Sequence, residues 1–202
     1  MVVIGITGGY ASGKSVVTRI LQDFGAFVVD ADETAREVLS VGTPAWRQVK
    51  EAFGEDVFDS EGIVDRKRLG RIVFSDEARL RELERITHPH IIKIIKEKLQ
   101  GAMNSGYDLI VLDAPLLIET GLTSLVDYVW VVYAPEDLQI RRAMVRDGLT
   151  RDEAVSRIHS QMDLKEKVKY ADVVINNDGT LEDTRRQVLR ALEKVLGPGA
   201  NS

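Results

Sequence analysis

Met1-Val2-Val3-Ile4-Gly5-Ile6-Thr7-Gly8-Gly9-Tyr10-Ala11-Ser12-Gly13-Lys14-Ser15 is the stretch from which the fold is read. Val2 to Ile6 is a short, mostly β-branched run and reads as a buried strand. Gly8 to Ser15 fits G-x-x-x-x-G-K-[ST], a phosphate-binding loop or P-loop. Val16, Val17, Ile20, Leu21 and Phe24 follow at helical spacing, so the loop opens a helix. Glycines let backbone N–H groups close around an anion. The helix N-terminus adds roughly half an elementary charge. Lys14 is expected at the β- and γ-phosphates of a nucleotide, and the Ser15 hydroxyl on Mg²⁺. A glycine-rich turn with a chance Lys-Ser is the competing account, and the strand and helix on either side argue against it.

The 202 residues suffice for one sizeable core with insertions or for two small domains. A net charge of −5 leaves no general basic excess, so a nucleic-acid backbone is not the expected partner. Cysteine is absent, which removes disulfides, thiolate nucleophiles and zinc thiolate sites and fits a reducing cytoplasm. No apolar run approaches the roughly 18 to 20 residues of a membrane span. Lys14 ends the first apolar segment too early for a signal peptide, so a cytoplasmic location away from membranes is expected.

Four more strands are read downstream. Gly25 suits a helix C-cap, and Ala26-Phe27-Val28-Val29 reads as a strand buried on both faces. Asp30-Ala31-Asp32 lies at its end, and ligands of open α/β sheets bind beyond the carboxyl ends of strands. Asp32 is therefore a candidate to orient, or take the proton from, a hydroxyl attacking a γ-phosphate. Capping of a helix over 33–40 is the alternative, and the preferred role for Asp30. Leu109 to Asp113 is an apolar strand ending in an aspartate, which places Asp113 near Mg²⁺. Asp127 to Tyr133 and Ala171 to Asn176 read as the fourth and fifth strands. Asn177-Asp178-Gly179 then sits on the same rim as the P-loop, either lining an adenine pocket or simply turning the chain.

Between strands the pattern is helical. Helices are read over about 44–53, 65–74, 76–85 and 88–103, with Thr87-His88-Pro89-His90 as an interruption. His88 is either part of a helix-start turn or a substrate contact. Arg66, Lys67, Arg68 and Arg71 form a basic cluster, either a solvated face or an anion contact. Ala114 to Glu119 reads as a turn leading into a short helix, with Glu119 a site residue or a plain helix carboxylate. Residues 136–171 are charged and helical, a candidate lid carrying Arg141, Arg142, Arg146, Arg151 and Arg157. Thr180 with Asp183 starts a last helix whose apolar side is Leu181, Val188, Leu192 and Leu196, ended by Gly197-Pro198-Gly199 ahead of a tail expected to fray.

Taken together, the chain resembles the dephospho-CoA kinase family over nearly its whole length. The resemblance rests on Gly-Ile-Thr-Gly-Gly with Ser-Gly-Lys-Ser, Asp30-Ala31-Asp32 with Ala35-Arg36, Thr87-His88-Pro89 and Pro115-Leu116-Leu117-Ile118-Glu119. Arg142 with Arg146-Asp147, Gln161-Met162, and Ala171-Asp172 through Asn177-Asp178-Gly179 complete it. It implies ATP-dependent phosphorylation of the ribose 3′-hydroxyl of dephospho-CoA, giving CoA and ADP. It implies an α/β P-loop kinase fold, a five-stranded parallel sheet flanked by helices. The nucleotide-binding core would be residues 1–32, 105–135 and 171–202, the helical acceptor domain 33–104, and the lid 136–170.

By the same resemblance Asp32, Lys14 and Arg142 are the expected catalytic residues. Gly9, Tyr10, Ala11, Ser12, Gly13, Lys14, Ser15, Val16, Arg142, Asn177 and Gly179 are the expected ATP contacts. Asp32, His88, Leu116 and Glu119 are expected at the acceptor, and Ser15 and Asp113 at Mg²⁺. One departure stands out: Ala11 replaces the usual glycine of Gly-Ser-Gly-Lys. Alanine is expected to be tolerated there only at negative φ; positive φ would strain the loop by roughly 1 to 2 kcal/mol. Tyr10 is bulkier than usual and would shield the phosphates or pack on the acceptor. The rival readings are a small P-loop kinase for a nucleoside monophosphate or other metabolite, and a nucleotide-driven switch. The sequence carries no Asn-Lys-x-Asp guanine motif of the kind such a switch typically uses.

Overall fold

The computed structural model describes residues 1–197; the ending at Pro198-Gly199 and the frayed tail lie outside them. A parallel five-stranded sheet runs in the order β2-β3-β1-β4-β5, with β1 Val2–Gly8, β2 Phe27–Asp30, β3 Leu109–Asp113, β4 Tyr128–Tyr133 and β5 Val173–Asn176. β1 lies in the middle, with Ile6 opposite Asp113 of β3 and Gly8 opposite Val132 of β4. Its neighbours are almost wholly buried, as parallel strands covered on both faces must be. β2 and β5 are edges and only partly covered, so the expectation of a second strand buried on both faces is corrected.

One face of the sheet packs on α1 (Lys14–Asp23) and α9 (Leu181–Leu196). Ile4, Ile6, Val111 and Trp130 meet Val17, Leu21, Val188 and Leu192 in one cluster. Gly25 sits at φ 83°, and the Gly25 and Ala26 amides bond the Gln22 and Leu21 carbonyls, a Schellman ending that stops α1. Against Gly5 the covering segment comes so close that a methyl there would lie 2.7 Å from Leu117 Cδ2. Asp127 and Asp172 use one device to start β4 and β5. Each carboxylate accepts from a neighbouring strand, at 2.8 Å from the Val3 N–H and 2.7 Å from the Val129 N–H.

Two compact units divide the chain: residues 1–30 with 99–202, and residues 31–98. The second unit is helical, with α2 (Ala31–Val38), α3 (Pro44–Phe53), α4 (Arg66–Ser75) and the first part of α5 (Glu77–Asn104) around a core of Val49, Phe53, Val57, Leu69 and Ile86. α2 begins at Ala31, earlier than expected, so Asp30 ends the strand and Asp32 falls in the first turn of the helix. α3 and α4 carry the expected caps, with Thr43 accepting from Trp46 and Asp65 from Lys67 and Arg68.

The expected break at Thr87-His88-Pro89-His90 is a correction, because α5 runs unbroken through Pro89. An internal proline costs about 3 kcal/mol. Full burial of one isoleucine returns roughly 1.5–3 kcal/mol. Beyond Pro89 the helix keeps Ile91 and Ile94 against the unit's core and buries Ile95 completely. Thr87 does not cap; its hydroxyl bonds the Leu83 carbonyl one turn back.

In the first unit, α6 (Glu136–Asp147) and α7 (Arg151–His159) form a hairpin through Gly148 at φ 67°. Thr150 and Glu153 make a capping box for α7, and α8 (Leu164–Val168) follows. The short helix expected within Ala114 to Glu119 is also corrected: the residues after β3 form consecutive turns before a 3₁₀ turn at Leu122–Leu125. Thr180 and Asp183 form the expected capping box of α9, but Leu181 is 66% exposed and not part of its buried side. Among the described residues no helix is long and apolar enough to cross a membrane.

Candidate active site

The site is built where the P-loop leaves β1 beside the end of β3. Gly13 caps α1 at φ 92°, and Lys14 is the helix's first residue. Because Ile6 pairs with Asp113, that carboxylate sits beside the loop's root. Lys14 Nζ donates to Asp113 Oδ1, and the Thr18 hydroxyl donates to Asp113 Oδ2 at 2.6 Å. Both oxygens of a buried carboxylate are thus engaged, one by a cation that a phosphate would compete for. Ser15 is exposed on the first turn of α1. A hydroxyl and a carboxylate at a phosphate loop are the hard oxygen donors that Mg²⁺ takes, alongside phosphate oxygens and water.

The loop itself is held by its carbonyls. The Ser12 carbonyl accepts from Asn177 Nδ2 at 2.8 Å and from Arg142 Nη1 at 3.2 Å. Arg142 Nη2 also donates to the Asn177 carbonyl at 2.8 Å. These bonds go to carbonyls, so they leave the guanidinium charge unneutralised. The Thr184 hydroxyl donates to Asn177 Oδ1 and fixes the amide's orientation. An open groove of about 610 Å³ runs past Gly13, Ser15, Val16, Arg142, Asn177 and Gly179, with Val145 and Leu181 as apolar walls.

Val145 escaped the sequence reading, and Leu181 was read only as part of the apolar side of α9. They are 88% and 66% exposed, costly positions for aliphatic side chains unless something apolar lies against them.

Ala11 lies at φ 56°, the positive angle at which a strain of roughly 1 to 2 kcal/mol is expected. Its methyl is buried against Ile140, Ala143 and Ala154 of the α6–α7 hairpin, which offsets part of the strain. Next to it, the Tyr10 hydroxyl donates to Asp147 Oδ2 at 2.5 Å and accepts from Arg157 Nη1 at 2.9 Å. Arg146 pairs with Asp147 and lies 5.2 Å from the Tyr10 ring centre. The Arg146 bond, then the Tyr10 bond, hold the Asp147 carboxyl down at about 2. The Asp147 bond raises Arg146, and the Tyr10 hydroxyl raises Arg157. Tyr10 therefore ties the P-loop to the hairpin.

Beyond Asp113, Leu116 is 43% exposed, while Glu119 Oε1 meets Lys167 Nζ at 2.9 Å. Lys167 is wholly buried and was missed by the sequence reading, because nothing local distinguishes it from the other lysines of its segment. Asp32 and His88 belong to the other unit, Asp32 exposed on α2 and His88 half-buried within α5. An acidic residue in a first helical turn is also favourable to the helix itself. Of the basic cluster on α4, Arg68 is paired with its own N-cap, Asp65, at 3.0 Å.

Comparison with known proteins places this arrangement in context. The family profile described as dephospho-CoA kinase (CoaE) matches residues 2–183. A dephospho-CoA kinase of Carboxydothermus hydrogenoformans is 52% identical over 192 residues, covering 95% of this chain and 93% of the relative. The solved structure of the dephospho-CoA kinase of Campylobacter jejuni superposes with a TM-score of 0.72 at 30% identity, covering 96% of both chains. The crystal structure of TT1252 from Thermus thermophilus does so with a TM-score of 0.82 at 37% identity, again over 96% of both.

Proposed function

This chain belongs to the dephospho-CoA kinase family, with dephospho-CoA kinase activity, the last step of coenzyme A biosynthesis, and on that premise we propose how its residues divide the work. A kinase of this family uses ATP and dephospho-CoA as its substrates. The reading adopted is transfer of the γ-phosphoryl group to the ribose 3′-hydroxyl, releasing CoA and ADP, in the cytoplasm. The observation that carries it is the Lys14–Asp113 pair at the root of the P-loop.

When ATP enters, Lys14 exchanges Asp113 for the β- and γ-phosphates. Ser15 and Asp113 would hold Mg²⁺, which would neutralise charge on the phosphates. The remaining steps belong to the chain's own groups. Arg142, fixed by two carbonyls, places an unneutralised guanidinium beside the loop. Backbone groups of Gly9, Tyr10, Ala11, Ser12, Gly13 and Val16 cradle the phosphates. Asn177 and Gly179, with Val145 and Leu181, take the adenine ring. Asp32 orients the acceptor hydroxyl and accepts its proton, while His88, Leu116 and Glu119 bind the rest of the acceptor. The helical unit is the acceptor domain and residues 136–170 the lid. Closure would exclude water, so that the hydroxyl attacks in its place.

The test is to incubate the protein with ATP, Mg²⁺ and dephospho-CoA and follow ADP and CoA. Nucleoside monophosphates and other alcohols serve as rival acceptors. CoA formation with dephospho-CoA alone is expected. ADP formation only with another acceptor would overturn the substrate, and nucleotide binding without transfer would favour a switch.

A further inference from the structure

A lysine buried to zero exposure is rare, because taking an ammonium out of water is costly unless its charge and protons are met. Lys167 meets both conditions on one short segment of chain. Its Nζ donates to the Pro115 carbonyl at 2.6 Å and pairs with Glu119 Oε1 at 2.9 Å. A methionine would fill the same volume without the desolvation cost, so packing does not explain a lysine here.

The bonds converge on the turns that follow β3. The Pro115 carbonyl also accepts from the buried Thr7 hydroxyl of β1 at 2.8 Å. Two residues before Pro115 is Asp113, and one residue after it is the exposed Leu116. Glu119 Oε1 takes a further bond, from the Met162 N–H at 3.3 Å. No bond falls on Glu119 Oε2 among the described residues, and the side chain keeps 22% of its surface open. Lys167 and Met162 hold one oxygen of a carboxylate and leave the other presented.

We propose that Lys167 is a positioning residue for the acceptor: it holds the Pro115–Glu119 turn in place and keeps the Glu119 carboxylate aimed at a neutral donor group of the substrate. This rests on the reading of the chain as a dephospho-CoA kinase. A presented anion repels phosphate and accepts from hydroxyl or amide N–H groups, so it selects the non-phosphate part of the acceptor. Lys167 lies in the segment assigned to the lid, yet its bonds tie α8 to the turn after β3.

The test compares Lys167→Met, Glu119→Gln and the double variant with wild type, varying ATP and dephospho-CoA separately. Each single variant is expected to raise KM for dephospho-CoA about tenfold or more, a cost of the order found for a lost charged hydrogen bond. KM for ATP should stay within about twofold. The double variant should be no worse than Lys167→Met, because both act through one contact. Equal shifts in both KM values, no shift, or additive effects would overturn the proposal. Should Lys167→Met fail to fold, Glu119→Gln keeps the shape of the pair and its KM split alone decides. Should wild type act only on another acceptor, the substrate assignment falls. A selective rise in KM for that acceptor would still support the positioning role, and its absence would overturn it.

Discussion

Asn177 donates its side-chain N–H to the Ser12 carbonyl at 2.8 Å, and a methyl added to Gly13 would lie 1.9 Å from that same nitrogen. The loop after β5 thus reads the P-loop's backbone and forbids a side chain at its last turn. Gly13 also needs φ 92°, which costs an L-residue roughly 1–2 kcal/mol. Gly13→Ala should therefore incur this strain, lose the Asn177 bond, and weaken ATP binding at least about tenfold. In an Asn177→Ala background the collision is gone and only strain remains, so the same substitution should cost about 1 kcal/mol less. Isothermal titration with ATP across the four proteins measures this coupling. Equal losses in both backgrounds would show that the amide does not police Gly13.

Ala11 tests strain against burial. At φ 56° glycine would relieve roughly 1–2 kcal/mol. Against that, Ala11→Gly removes a buried methyl from the Ile140–Ala143–Ala154 contact, about 0.8 kcal/mol. It also adds unfolded-chain entropy, about 0.4–1 kcal/mol. The terms nearly cancel, so stability from denaturant unfolding should stay within about 1 kcal/mol of wild type. A loss beyond about 2 kcal/mol would mean that the methyl anchors the hairpin more than its area suggests.

What could be read from sequence was what neighbours in the chain decide. Strand, loop and first helix are contiguous, and Thr43, Asp65 and Thr180 cap helices through bonds that span only a few residues. Pro89 misled because a proline looks like a boundary locally, whereas burial of Ile95 acts from across the core. Lys167 and Pro115 are 52 residues apart, and Tyr10 and Asp147 are 137 apart. No periodicity reports such pairings. Leu181 failed for a related reason: it follows the apolar stripe of its helix but stands on the open groove beside the P-loop.

The Tyr10–Asp147 bond has a defined signature in pH. The Asp147 carboxyl is held at about 2, below its usual 3.8, first by Arg146 and second by Tyr10. A lowered carboxyl stabilises the fold above the unfolded value, and that contribution is lost as pH falls through the folded one. Tyr10→Phe removes the second cause only, so the Asp147 value should rise but remain below 3.8. Melting temperatures of wild type and variant should differ by a constant amount from pH 5 to 8. The curves should converge as pH falls from 3.8 towards about 2. Carboxyl titration by NMR gives the direct check. An unmoved Asp147 would show that Arg146 holds it alone.

Asp32 is the proposed proton acceptor, and its replacement separates chemistry from binding. Asp32→Asn keeps the shape and removes the basicity, so kcat should fall by about 10² to 10⁴. ATP affinity should hold, because the groove proposed for the nucleotide is lined by residues of the other unit. Turnover within about threefold of wild type would leave Asp32 with its helix-start role only.

Asp113 separates the two duties assigned to it. Its oxygens are shared between Lys14 and Thr18, and the same carboxylate is the proposed Mg²⁺ partner. Asp113→Asn can preserve both contacts, since the amide oxygen accepts from Lys14 and the Thr18 hydroxyl can turn to accept from the amide. What disappears is the negative charge. Lys14 is then held less strongly in competition with the phosphates, so ATP binding with EDTA present should be equal to wild type or tighter. Mg²⁺ loses an anionic partner, so the Mg²⁺ concentration for half-maximal turnover should rise about tenfold or more. Opposite movements of these two quantities are the expected outcome. A parallel loss of both would assign Asp113 to holding Lys14 in place and remove it from the metal.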